Sequence, residues 1–201
     1  IFARNGAIMH VNAGRTLDIG GDVAFINAGG AVPVFENAGT LLKSGGTGTT
    51  SWSGKIDSSG TIDLRAGTFQ PTGDMTISGP FTVTAPVLLD LGGTNNFAAA
   101  SNLSGTGTMQ VSSGTTTVSG TYGILGQLTL ANGVEQFTVP VTIPDLTITN
   151  GTFKISGSSA YSSPIFTLPA YTIPVTGGLW LNDANATVVK PHSRRLETPT
   201  V

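Results

Sequence analysis

Cysteine is absent from the chain. Disulfides and thiolate zinc sites go with it, so the fold rests on packing and backbone bonding. Charge is scarce too: 10% of residues are Asp, Glu, Lys or Arg, against about a quarter in ordinary domains. With a net charge of -2 there is neither the basic surface that nucleic acid requires nor an acidic block. No apolar run approaches the roughly 18 residues of a membrane-spanning helix. No charged-then-apolar leader opens the chain. Starting at Ile1, it reads as a mature product or as a piece of something longer.

Helix formers are thin, since Glu is rare, and no long segment shows an apolar period of 3.6. What replaces them is Gly, 28 of 201 residues, with abundant Thr and Ser. Hydrophobic residues still make up 39%, too many for a disordered Gly/Ser tract. They fall in small groups, as many short strands require.

These groups repeat. Gly followed by a short β-type phrase occurs as GTLLK at Gly39, GTIDL at Gly60, GTFQP at Gly67, GTMQV at Gly107, GTTTV at Gly114, GQLTL at Gly126 and GTFKI at Gly151. Within the phrases apolar and polar residues alternate. Ile62 and Leu64 take one face, and Thr61, Asp63 and Arg65 the other. Strands this short bury nothing alone. If each stacks on its equivalent one coil later, the apolar faces meet inside and every backbone group is paired at about 4.8 Å. Coils of roughly 20 residues would give about eight turns and a rod on the order of 40 Å. The expected fold is therefore all-β, a parallel β-helix or β-solenoid, over residues 1–186. A β-sandwich or jelly roll is the alternative, because it also has many short strands. Similarity of the repeats in residues, beyond spacing, favours the solenoid.

Proline is scarce up to Val139 and then recurs at Pro140, Pro144, Pro164, Pro169 and Pro174. Residues 161–186, with Tyr161, Phe166, Tyr171 and Trp180, read as a divergent end part that covers the stack. Residues 187–201 change character again. Lys190, Arg194 and Arg195 crowd there, and the stretch reads as a disordered or non-native tail.

The stretch FENAGTLLKSGGTGTTSWSG at Phe35–Gly54, followed by KIDSSGTIDLRAGTF, resembles a bacterial repeat of the form FNNxGTxxKSGGTGTT. That repeat occurs in large secreted and surface proteins of the adhesin and autotransporter-passenger kind. Weaker similarity continues through Ser104–Gly123 and NAGRTLDIGG. The resemblance implies a right-handed solenoid in a secreted or cell-surface protein, and it brings no catalytic motif.

Four residues form the densest charge cluster before the tail: Lys55, Asp57, Asp63 and Arg65. Outward carboxylates beside a base on one β-helix face suit lyase or hydrolase chemistry, or a Ca²⁺ site. Exposed ion pairs on a solvated face account for the same residues. Trp52, in SWSG near an expected corner, is a candidate for stacking on a sugar ring, whereas Trp180 reads as core or end cap. A Ser-His-Asp triad would need His10 or His192, and no Gly-x-Ser-x-Gly elbow is present. GGTGTT at Gly45–Thr50 lacks the ending of a phosphate loop and reads as a corner. Outward Thr, as at Thr115–Thr117, is a good strand residue and not a regular ice-binding array.

The leading expectation is an extracellular structural or adhesive segment of a larger protein, with no resident cofactor. Its expected partners are polysaccharide or a host surface, and its open ends invite end-to-end self-association. A β-helix enzyme acting on polysaccharide is the alternative, and a carbohydrate-binding module is a weaker one.

Overall fold

Short strands follow one another around three faces and return to the first about twenty residues later. The computed structural model describes residues 1–139, 141–155, 165–167, 178–181 and 187–189. One coil is built from Thr49–Trp52, Lys55–Ser58 and Thr61–Leu64; the next from Thr68–Pro71, Met75–Ile77 and Pro80–Val83. Strands of one face join into one sheet. The first sheet has eight strands, from Phe2–Ala3 to Asp145–Ile148. The second has nine, from Ile8–Val11 to Gly178–Leu181, and the third six, from Thr16–Asp18 to Thr121–Ile124. Every pairing among the described strands is parallel.

The chain is thus an all-β solenoid of about eight turns. No helix occurs among the described residues. The sandwich alternative is not supported: strands that follow one another in the chain lie in different sheets, not in antiparallel hairpins.

The coil is not uniform in length. Side chains that bond from coil to coil lie 26 residues apart at Asp18 and Ser44, 21 at Asn37 and Ser58, 20 at Gln70 and Asp90, and 18 at Gln127 and Asp145. Corners absorb the difference, so strand register survives. Ile62 stays between Leu41 and Phe81, and Leu89 between Phe69 and Met109.

Alternation puts two residues of most strands inside. Ile62, Leu64, Leu128, Leu130, Leu146 and Ile148 are all buried, as their phrases predict. Burying side chains of this size contributes about 1.5–3 kcal/mol each. Aromatic contacts mark both ends of this core. Phe25 stacks on Trp52 at 4.2 Å with Phe35 tilted against it at 4.9 Å, and Phe137 packs against Tyr122 and Phe153 at 5.1 and 5.5 Å.

The Gly-Thr phrases have a specific cause. The Thr amide donates across to a corner carbonyl of the preceding coil: Thr61 to Gly39 at 2.8 Å, Thr68 to Gly48 at 2.8 Å, Thr115 to Gly93 at 3.0 Å and Thr152 to Gly133 at 2.8 Å. The residue before each Thr lies directly over that same carbonyl. A Cβ on Gly60 would collide with the Gly39 oxygen, and one on Gly67 would approach the Gly48 oxygen to 2.5 Å. Gly114 is the most constrained of them. It has φ +71°, and a Cβ there would collide with the Gly93 oxygen.

Ile165–Thr167 of the expected end part pairs with Thr187–Val189, the first residues of the expected tail, and Gly178–Leu181 extends the second sheet beyond Thr152–Ile155. Tyr161 and Tyr171 lie outside the described residues, as do residues 190–201; Phe166 and Trp180 lie on strands whose side chains are not described.

The corner geometry predicts that Gly114→Ala destabilises the chain by about 3 kcal/mol, combining left-handed strain with overpacking. Urea unfolding checks this; a loss below about 0.5 kcal/mol would mean that the corner has room.

Candidate functional site

The four charged candidates fall on two sheets. Lys55 and Asp57 point outward from Lys55–Ser58 on the second sheet, Nζ to Oδ2 2.8 Å. Asp63 points outward from Thr61–Leu64 on the third, and Arg65 follows that strand with its Nη2 2.6 Å from Asp63 Oδ2. Asp63's hydrogen bond and charge push the Arg65 guanidinium up from its ordinary value. The corner at Ser59–Gly60 separates the pairs, so the expected four-residue cluster divides into two local ion pairs.

Asp57 has other neighbours. Its outward position stacks on Glu36, and Glu36 on His10. His10 Nδ1 is 3.0 Å from Glu36 Oε2. An open groove of about 350 Å³ runs beside this column, lined by His10, Glu36 and Asp57 with Asn12, Thr76 and Ser78 among others. Residues from four coils meet there, which the sequence spacing did not show. Among the described residues no three His, Asp or Glu side chains gather to hold a metal ion.

Trp52 is placed differently from its expected exposure. It is 1% exposed, with its ring face stacked on Phe25. Its corner position in SWSG suggested solvent, but Trp52 closes its strand on the inward parity with Thr50. Phe25 covers that face of the ring. Thr115 and Thr117 point outward while Thr116 is buried between Asn95 and Glu135.

A polar cluster that sequence reasoning missed explains the motif KSGGTGTT. Lys43 occupies an inward position of Thr40–Lys43, and its side chain is 0% exposed. Its ammonium donates to the Gly45 carbonyl at 2.9 Å and reaches Asp22 Oδ1 at 3.5 Å. Asp22 Oδ2 accepts from the Gly48 amide at 2.9 Å, and Ser44 Oγ donates to Asp18 at 2.6 Å. Of the segment read as a corner, Gly45–Gly48 is one, held by a buried Lys and a half-exposed Asp from the previous coil, and Thr49 and Thr50 open the next strand. The signal available was the motif's one Lys between an apolar strand and three Gly.

A second network knits the outward side of the first sheet. Asp90 accepts from Gln70 at 2.7 Å and from Gln110 at 3.2 Å, and also from the Ser112 hydroxyl. Three successive coils are bridged through this one carboxylate.

Comparison of the chain with protein-family models, with curated proteins and with solved structures finds no match.

The Lys43 clamp makes a stability prediction. Asp22→Ala removes the partner of a buried ammonium and should cost about 2 kcal/mol, at the lower side for broken buried pairs because Asp22 is half-exposed. Adding Lys43→Met should recover most of it. Urea unfolding of the single and double variants decides; a double variant weaker than Asp22→Ala would show that Lys43 holds the corner by itself.

Proposed function

We propose that the chain is a structural and adhesive segment of a larger secreted or cell-surface protein, of the kind its bacterial-type repeat resembles. The observation that carries this reading is the way the outer faces are tied. Two charged pairs close within one coil, Lys55–Asp57 and Asp63–Arg65, and His10 and Glu36 meet across two coils. The Gln70–Asp90–Gln110 bridge links coil to coil. The resulting outer surface is low in charge, rich in Thr, Ser and Asn, and rigid through its backbone ladders. Such a surface suits weak repeated contacts to the hydroxyls of polysaccharide or of a host surface, strengthened by multivalency along a rod.

A second reading, a β-helix enzyme on an extracellular polymer, has the groove beside His10, Glu36 and Asp57 in its favour. Two carboxylates and an imidazole on one outward column are the residue types of acid–base hydrolysis. In that reading Glu36 and Asp57 replace the wider set that included Lys55, Asp63 and Arg65. Carbohydrate binding without turnover would use the same groove rather than Trp52.

The readings separate in one experiment. The purified chain is incubated with a panel of polysaccharides, with and without Ca²⁺, and both retention and released products are followed, the latter by mass spectrometry. The structural reading predicts that the polymers are recovered intact. Reproducible products, abolished by Asp57→Asn or Glu36→Gln with the fold preserved, would replace it with the enzymatic one.

A further inference from the structure

One inward column of the second sheet changes character along the rod. It begins with Met9, Phe35, Ile56 and Met75. The next three positions are Asn95, Thr116 and Glu135, and the column returns to an apolar side chain at Phe153. Asn95 donates to the Gly92 carbonyl at 2.8 Å and to Thr116 Oγ1 at 3.2 Å, but its own oxygen has no partner. Glu135 is 0% exposed, and neither of its carboxyl oxygens has a hydrogen-bond partner. Tyr122 brings a buried phenol from the third sheet, also unpartnered. An ionised carboxylate in such surroundings is far more costly than a neutral acid.

We propose that this segment of core is a pH-sensitive joint: Glu135 stays closed in as an uncharged acid, and its ionisation requires the coils of residues 127–155 to open while the earlier coils remain stacked. The strands packed around Glu135 bring one titratable group inward among the described residues, the Tyr122 phenol. The charged groups those strands carry, Asp145 and Lys154, occupy outward positions. Tyr122 cannot supply a positive charge. Burial pushes the Glu135 carboxyl well above its ordinary value of 4.5. Burial pushes the Tyr122 phenol up as well.

The sign follows from linkage. Below about pH 4.5 the carboxyl is neutral both open and closed, and the joint keeps its full stability. As pH rises the open form releases its proton while the closed form retains it. The closing equilibrium then falls about tenfold per pH unit until the folded value is reached. The joint belongs to the fold and operates whatever the outer faces bind.

Hydrogen exchange of the full chain between pH 5 and 8, followed by mass spectrometry and corrected for the intrinsic rate, tests this. Peptides within 127–155 should show an opening equilibrium that rises about tenfold per pH unit, and peptides within 49–83 should not. Glu135→Gln should flatten the profile, and Glu135→Leu serves if the amide variant does not fold. A flat wild-type profile in 127–155 would overturn the proposal, as would a slope that survives in a folded variant. Protection of 127–155 by Ca²⁺ at pH 8 that disappears in Glu135→Gln would also overturn it, by showing an ionised, metal-paired carboxylate.

Discussion

The backbone of each coil is satisfied by the coil before it. Thr61 bonds to Gly39, and Thr115 to Gly93, so a corner of the chain is set by a corner laid down about twenty residues earlier. Because those carbonyls lie directly beneath the incoming residue, a side chain is excluded where the coil turns. The recurring Gly-Thr phrase is the local chemistry of that constraint: no Cβ at the corner, then an amide that donates across to the previous coil. The apolar alternation that follows in each phrase is what places one stripe of every strand inside. Parallel stacking, corner glycine and core thus depend on a single repeated bond.

Polar groups inside the stack are handled in two ways. Near the N-terminal end Asn37 and Lys43 are paired. Asn37 donates to Ser58 at 2.9 Å, and Lys43 is held by Gly45 and Asp22. These bonds run along the axis or into a corner, and they fix one coil to its neighbour. Further along, Asn95, Thr116 and Glu135 form an incompletely paired column. Stability along a solenoid is a local sum over neighbouring coils. Unpaired polar groups therefore weaken particular coils without weakening the whole rod equally.

The solenoid, its coil length and the inward parity of phrases such as Gly60–Arg65 were legible because Gly, Thr and apolar residues recur in one order. Positions depending on which coils meet were not. His10, Glu36 and Asp57 share a column only after coils of unequal length are aligned, and the N-terminal coil is the longer one. Trp52 looked exposed because SWSG resembles a corner; the strand Thr49–Trp52 in fact includes it and turns the ring inward. Nothing local to Lys43 shows that a previous coil supplies Asp22. In Val134–Phe137 either parity puts one polar and one apolar residue inside. Only the partners Thr116 and Phe153 fix the choice that buries Glu135. Local periodicity carries the fold, while the chemistry of the sites lies in contacts between coils.

The stacked register is the claim on which the corners, the polar seams and the outward groove all rest. Cross-strand nuclear Overhauser contacts of an isotopically labelled sample measure it directly. The Ile62 backbone should show parallel-register contacts to Leu41 on one side and Phe81 on the other. Antiparallel contacts between consecutive segments, such as Lys55–Ser58 against Thr61–Leu64, would contradict the solenoid and with it the placement of every site described.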